Sequence, residues 1–327
     1  MRKIGAVLAG MAICFLGIMA FAQEAKQNND AAVAAGNGQA YVDVVVTDRK
    51  GNYTPSLTAE NFRLWEGGAE RKIASVQTGG AGEERMVLFF DGMIFSDQTR
   101  AQDAAARFLQ DSKNVSMPVE ILHYEDYGEL RTVQSFTKDG AALQRALHSA
   151  FTSSERARLL NHWIRLAHGG AIVEAPSWSA DTDEYFKALR KLTAELGALP
   201  GHKTLVLLSP GIVIARDQLD EVDRLSELCN RANVTVHVVD VNNNIAGGLL
   251  FFTNLEPLAR QTGGLVLTSP SDLSGELAKI GSERLHEYLL SYTSAAPAGQ
   301  CSKLKVTVTH ADVRVRNQYC NTQPAAQ

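Results

Sequence analysis

The distribution of apolar residues predicts that strands and helices alternate through the middle of the chain. Five consecutive apolar residues, Met86 to Phe90, indicate a strand that is buried on both faces of a parallel sheet. Further strands are predicted at 119–124, 130–136, 203–209, 234–240 and 264–268. Helical spacing predicts helices at 96–110, 139–149, 154–168, 183–196, 217–232, 254–262 and 272–289. This alternation predicts an α/β fold with a mostly parallel sheet and helices on both faces.

Segments in which polar and apolar residues alternate lie on either side of this region. Strands are predicted at 40–48, 62–66 and 71–77, and again at 303–309 and 313–316. A three-stranded unit is only marginally stable alone. We therefore expect the N-terminal strands (residues 40–80) to pair with the C-terminal segment (290–321), which is predicted to form a β-hairpin. The α/β domain would span residues 84–289.

The first 22 residues have the pattern of a secretory signal peptide. Two basic residues, Arg2 and Lys3, precede an apolar run from Ile4 to Phe21, and small residues surround a cleavage position after Ala22. If this segment stayed uncleaved it would anchor the chain in a membrane, because a spanning helix needs about 18 apolar residues. Residues 23–39 are interpreted as a flexible leader and 322–327 as a tail. The predicted location is secreted or periplasmic.

The charge of the chain argues against a nucleic-acid partner. Its formal net charge is −4, and removal of Arg2 and Lys3 with the signal peptide leaves 30 Lys and Arg against 36 Asp and Glu, or −6. The sequence contains no basic cluster. We therefore expect no nucleic-acid binding.

The cysteines predict one disulfide in the mature protein. If the C-terminal strands fold as a hairpin about His310 and Ala311, one register aligns both valines and cysteines. The opposed pairs are Val308 with Val313, Val306 with Val315, and Cys301 with Cys320. Because an exported chain meets an oxidising compartment, we expect Cys301 and Cys320 to be bonded. Cys229 lies in a helical pattern and is interpreted as an inert buried thiol.

The order of these segments resembles the VWFA-related family of secreted bacterial proteins, which contain a von Willebrand factor type A (vWA) domain. The matching pieces are residues 42–51, 57–62, 66–68, 88–91, 136–139, 199–203, 230–234, 262–264 and 288–292. No piece is specific alone, but together they follow the family's order from about residue 40 to 320. The resemblance implies a vWA domain, with the strands before and after it forming one small β-sandwich-like domain.

The resemblance also implies a position for a metal-ion-dependent adhesion site. In the family pattern, an Asp-x-Ser-x-Ser motif follows the first strand, a later loop supplies a Thr, and an Asp follows the fourth strand. Asp91 matches the first Asp, but Met93 and Phe95 replace the two serines. Ala171 or Thr182 is the residue at the Thr position. At the end of the fourth strand, Ser209 is followed by Pro210 and Gly211, so that Pro-Gly replaces the Asp-Gly of the pattern.

This set of side chains predicts a degenerate site. Octahedral Mg²⁺ requires about six oxygen ligands, and the positions above supply one carboxylate. We therefore expect no metal and no other cofactor. In a weaker alternative, Asp91, Ser96 and water hold Mg²⁺ or another divalent cation loosely. Asp91 would otherwise cap the following helix or bind loop amides, with Met93 and Phe95 either in the core or on an apolar contact surface.

Motifs of familiar enzymes are missing from the sequence. There is no Gly-x-Ser-x-Gly elbow, no phosphate-binding glycine-rich loop and no Cys-x-x-Cys. The Asp-x-Asp motif of haloacid-dehalogenase-like phosphatases requires an acid where this chain has Met93. The favoured interpretation is an exported, non-enzymatic protein of the adhesion or assembly type that binds another protein. Two alternatives stay open: a hydrolase in which a second acid, His or Lys converges on Asp91, and a purely structural envelope component.

Overall fold

The computed structural model describes residues 38–79, 82–91, 95–111, 116–124, 130–149, 178–209, 212, 218–241, 255–268 and 272–322. The strands are β1 (Gln39–Thr47), β2 (Phe62–Glu66), β3 (Ala69–Arg71), β4 (Ile73–Thr78), β5 (Glu84–Phe90), β6 (Val119–Tyr124), β7 (Leu130–Thr137), β8 (His202–Ser209), β9 (Val234–Asp240), β10 (Val266–Leu267), β11 (Tyr288–Thr293), β12 (Cys301–Val308), β13 (Asp312–Val315) and β14 (Gln318–Cys320). The helices are α1 (Phe95–Gln110), α2 (Gly140–Ser149), α3 (Trp178–Gly197), α4 (Leu219–Arg231), α5 (Glu256–Thr262) and α6 (Leu273–Glu283). The predicted signal peptide and helix 154–168 lie outside the described residues.

The central sheet has six strands in the order β10-β9-β8-β5-β6-β7. Five of them are parallel, and β7 pairs antiparallel with β6 at one edge. Numbered from β5, the strands follow the doubly wound order 3-2-1-4-5-6, in which the chain starts in the middle and winds outward in both directions. The predicted α/β class and the predicted edge strand are therefore confirmed.

The apolar run of β5 is continuous because helices cover both faces of the sheet. Met86, Leu88 and Phe90 pack into one core with α1, α2 and α6. Val87 and Phe89 point the other way and pack against α3, α4 and α5. All five side chains are at most 1% exposed, and each contributes about 1.5–3 kcal/mol by leaving water. Alternating polar positions would leave unpaired polar groups in one of these cores.

Two smaller antiparallel sheets form the second domain, in the orders β13-β1-β11-β4 and β14-β12-β2-β3. Their shared core includes Val42, Leu64, Tyr288, Tyr292 and Val306. Each sheet contains strands from both ends of the chain. The expected pairing of the N-terminal strands with the C-terminal segment is therefore confirmed.

The predicted helix 272–289 is wrong beyond Glu283. Leu285 and Leu289 continue a helical spacing, but Leu285 is 49% exposed and β11 begins at Tyr288. The chain leaves the helix because Tyr288 and Leu290 fill the core of the smaller domain, where β11 pairs with β4. The boundary of the α/β domain thus falls before residue 288.

The predicted C-terminal hairpin is correct only at its cysteines. Cys301 lies opposite Cys320 in β14, and their sulfurs are bonded at 2.05 Å. The valines, however, belong to different sheets: Val306 pairs with Leu64 of β2, whereas Val315 pairs with Val44 of β1. Alternation identifies both segments as strands but does not specify the sheet that each one joins.

Two further expectations concern thiols and membrane segments. Cys229 is a fully buried free cysteine, as predicted, and burial raises the pKa of its thiol to about 12. None of the helices within the described ranges combines the length and the apolar character that a membrane span needs.

Candidate functional site

The site lies at the carboxyl edge of the central sheet, where β5 and β8 end side by side. The backbone N–H of Asp91 donates to the carbonyl of Leu208 at 3.0 Å, which extends the β5–β8 pairing by one residue. The Asp91 side chain is 6% exposed, and its Oδ2 accepts a hydrogen bond of 2.5 Å from the hydroxyl of Ser209. Two residues that the family pattern places at separate motifs are thus in direct contact.

Helix α3 brings a third polar side chain, Tyr185, to this pair. The phenol is 3% exposed, and burial followed by the negative charge of Asp91 raises its pKa well above the ordinary value. Its hydroxyl is close to both Asp91 and Ser209, yet it has no aligned hydrogen bond to any residue that the structure describes. The phenol therefore stays protonated and enclosed beside the carboxylate.

Aromatic rings fill the space next to the carboxylate. Tyr185 packs edge-on against Tyr124 at 5.1 Å between ring centroids and against Phe89 at 6.2 Å. Tyr124 ends β6, the strand next to β5, so all three rings meet at the same edge. Aromatic rings therefore replace solvent on this side of Asp91, and the lower local dielectric strengthens its hydrogen bond to Ser209.

The two tyrosines were not anticipated from the sequence. Tyr124 could have been found from the sequence, because it is the last residue of a predicted buried strand and carries a hydroxyl, so it falls at the same carboxyl edge as Asp91. Tyr185 lies near the start of the predicted helix 183–196, after a stretch in which no helix or strand is predicted. Only the packing of α3 brings it to the site. Thr182, one of the two residues considered for the Thr position, is buried one helical turn before Tyr185.

The far side of the site is formed by β9. Asp240 lies opposite Ser209 in register, and the N–H of Val241 donates to the Ser209 carbonyl at 3.2 Å. The helix that carries Tyr185 is tied down nearby, since Asp183 accepts a hydrogen bond of 2.7 Å from the Gln218 side chain before α4. Four neighbouring strands therefore end in Tyr124, Asp91, Ser209 and Asp240 along one edge.

The structure describes the side chains of only some of the predicted site residues. Met93, Ala171 and Pro210 lie outside the described residues. Phe95 and Ser96 form the start of α1, which confirms the predicted helix. The expectation that Asp91 caps this helix concerns residues 92–94, which are also outside the described part of the chain.

Among the residues that the structure describes, few donors beside Asp91 suit a divalent cation. Within the described ranges, no group of three or more His, Cys, Asp or Glu side chains is placed to hold a metal ion. The described partners of Asp91 are a serine hydroxyl and a tyrosine phenol, and Mg²⁺ favours several hard, charged oxygens.

The strand order, the antiparallel edge and an Asp at the end of the first central strand together define a vWA-like domain. No family model matches the chain, and no curated protein matches it.

Among solved structures, it is similar to an aerotolerance-related membrane protein from Bacteroides fragilis NCTC 9343, with 13% identity, a TM-score of 0.39, and coverage of 62% of this chain and 98% of that one. A second is the vWF domain of the type V pili tip protein Mfa5 from Porphyromonas gingivalis, with 9% identity, a TM-score of 0.39, and coverage of 63% and 95%. BatB from Bacteroides thetaiotaomicron has 13% identity and a TM-score of 0.37, covering 62% and 98%. At these scores the fold assignment rests on the sheet of this chain itself.

Proposed function

We propose that this chain is an exported, non-enzymatic protein of the adhesion or assembly type, which binds another protein without a metal ion. In this proposal, the edge of the sheet that holds a cation in metal-dependent vWA domains is degenerate. The signal-peptide pattern of residues 1–22 supports export, and the proposed location of the mature chain is the periplasm or the outside of the cell.

The observation that supports the proposal is the contact between Asp91 and Ser209. A carboxylate that recruits a metal must turn its oxygens toward an open position, whereas Asp91 is buried and accepts a hydrogen bond from Ser209. The buried Tyr185 phenol lies beside the same carboxylate and packs edge-on against Tyr124, which supports an enclosed position for Asp91. Asp91 thus acts inside the protein, where it holds the ends of β5 and β8 together.

A crosslinking experiment on the native envelope fraction tests metal independence. The tagged full-length chain is crosslinked to its neighbours, once with added Mg²⁺ and once with a chelator in excess. We expect the same crosslinked species in equal yield under both conditions. A matched sample with Ser209→Ala reports whether an intact edge is required. Species that disappear with the chelator and return with Mg²⁺ would contradict the metal-free proposal.

The weaker alternative, a loosely held cation at Asp91, predicts a different pattern. The carboxylate has two oxygens, and the described hydrogen bond from Ser209 engages Oδ2. A cation on the other oxygen would need Ser96 and water as further ligands, and it would raise the melting temperature of the isolated protein in proportion to the logarithm of its concentration. Thermal melts across a series of Mg²⁺, Ca²⁺ and Mn²⁺ concentrations separate this alternative from the proposal.

A further inference from the structure

The outer face of the smaller domain carries an aromatic ring among basic side chains. Along β2 and β12 the inward residues, such as Leu64 and Val306, are buried in the core. Trp65, Lys303 and Lys305 alternate with these inward residues and lie on the opposite face of the two strands. Together with Gln318 of β14 they line an open depression of about 520 Å³. We call these four residues the Trp65 face.

The charge of this face is opposite to that of the whole chain. The Nζ of Lys305 lies 5.5 Å from the centroid of the Trp65 ring, its cross-strand neighbour, which is the geometry of a cation–π contact. Arg63 borders the face, with 70% of its side chain exposed, and pairs with Glu70 at 3.7 Å. One acid therefore stands among three cations, on a chain whose net charge is −4. A local positive surface on an acidic protein favours an acidic ligand.

The spacing of the lysines indicates what shape of ligand fits. Lys303 and Lys305 are alternate residues of one strand, so they point the same way and are separated by about 6.8 Å along it. Alternate side chains of any extended peptide have the same spacing. An extended segment with carboxylates at every second position can therefore reach both ammonium groups without bending.

The disulfide makes this face rigid before anything binds. Cys301 and Cys320 join β12 to β14 two residues away from Lys303, which itself lies opposite Gln318. A ligand that meets two strands already joined loses less free energy to the ordering of its binding site. Trp65 adds a large aromatic surface beside the cations, the kind of residue that dominates the binding energy of protein interfaces.

We propose that the Trp65 face binds an extended acidic segment of a protein partner, with Asp or Glu at alternate positions. This site lies on the smaller domain and does not involve Asp91, so it goes beyond the function proposed above and fails or succeeds independently of it. The lysines supply charge and register, and the indole supplies apolar contact. Because the cations are exposed, binding weakens as salt is added.

The test is fluorescence anisotropy of a labelled peptide of alternating Glu and Thr, titrated with the full-length protein at low salt. We expect saturable binding that weakens with added NaCl. The double variant Lys303→Glu/Lys305→Glu should weaken it by roughly tenfold or more, because each reversal replaces an attraction by a repulsion. Trp65→Ala should weaken it while preserving the salt dependence. The double variant Lys303→Gln/Lys305→Gln, which adds no repulsion, gives the same direction of change if charge reversal disturbs folding.

The matched control reverses two lysines elsewhere. Lys187→Glu/Lys191→Glu changes the net charge by the same amount, on side chains of α3 that are 69% and 78% exposed, and should leave binding unchanged. The proposal is overturned if the wild-type protein does not bind the peptide or if both lysine pairs matter equally. It is also overturned if polygalacturonate, a carboxylated saccharide, binds this face in preference to the peptide. Self-association in sedimentation experiments that Lys303→Glu/Lys305→Glu abolishes would assign the face to a second copy instead.

Discussion

Ser209 donates its hydroxyl proton to Oδ2 of Asp91 at 2.5 Å, and this bond joins the carboxyl ends of the two central strands, β5 and β8. Both side chains are buried, Ser209 completely and Asp91 to 6% exposure. In a metal-dependent vWA domain this edge is open to a ligand. Here the Asp91 carboxylate accepts a hydrogen bond from within the protein, and the contribution of that bond to stability can be measured.

The first prediction concerns the donor of this bond. Ser209→Ala removes a hydroxyl from a buried carboxylate and should lower the free energy of unfolding by roughly 1–3 kcal/mol, measured by urea denaturation. Ser226→Ala is the matched control, because Ser226 is equally buried but donates only to the Val222 carbonyl within α4. If both variants lower the free energy of unfolding by the same amount, the hydrogen bond from Ser209 to Asp91 contributes nothing special and this interpretation of Asp91 fails.

The second prediction concerns the phenol beside the pair. Tyr185→Phe removes a buried hydroxyl that has no aligned hydrogen bond to the described residues, so stability should stay unchanged or rise by up to about 2 kcal/mol. Tyr292→Phe is the control, since the Tyr292 hydroxyl donates to buried Glu66 at 3.2 Å and its loss should destabilise the protein. Equal losses of stability in the two variants would show that the Tyr185 hydroxyl has a stabilising partner.

The sequence predicted the part of the site that depends on strand ends. A five-residue apolar run specifies a central strand, and parallel strands bring their carboxyl ends to one edge, so Asp91 and Ser209 could be placed together. The contribution of Tyr185 could not be predicted. It depends on which residue of α3 faces the edge, and helical periodicity defines a buried stripe without giving its position along the sheet.

In the smaller domain, too, the sequence predicted the strands but not the sheets that they join. Alternation identified β12 and β13 as strands, and the cysteine pairing was correct. The two strands nevertheless join opposite sheets, because Val306 and Val315 each fill a different layer of the sandwich core. Alternation of apolar and polar residues shows which face of a strand is buried, but this face can pack into the core from either sheet of the sandwich.

The third prediction concerns the bond between Cys301 and Cys320. It closes a loop with a sequence separation of 19, for which the chain-entropy relation gives roughly 3 kcal/mol of stabilisation. Cys301→Ser/Cys320→Ser should therefore lower the free energy of unfolding by about that amount, and a reducing agent should do the same to the wild type. Cys229→Ala should leave the response to the reducing agent intact, since the Cys229 thiol is free. A wild-type protein that is indifferent to reduction would argue against the bond.

The fourth prediction concerns pH. Glu287 lies where the two domains meet, facing Asp43, Glu84, Arg284 and Arg316, and burial raises its pKa from 4.5 to about 8. The folded state then holds a proton that the unfolded state releases above pH 4.5, so this group's contribution to stability is lost as the pH rises toward 8. Between pH 6.5 and 8 the loss should amount to roughly 1–2 kcal/mol.

Glu287→Gln should remove this fall in stability, because the amide does not titrate. The measurement is urea denaturation of both proteins at a series of pH values. The unfolded forms of His202 and His237 titrate near pH 6.5, whereas burial lowers their pKa values in the folded state, so both add a pH slope of their own in this window. Because that slope is common to both proteins, the difference between the two slopes is assigned to Glu287. A variant with the same pH slope as the wild type would assign the proton to another group.

The fifth prediction addresses the central claim, that the edge at Asp91 works without a metal ion. Isothermal titration calorimetry of the full-length protein with MgCl₂ and MnCl₂, with Asp91→Asn measured in parallel, is the most direct test. The account predicts no saturable binding tighter than about 1 mM in either protein. A saturable isotherm in the wild type that Asp91→Asn abolishes would contradict it and restore a working metal site at this edge.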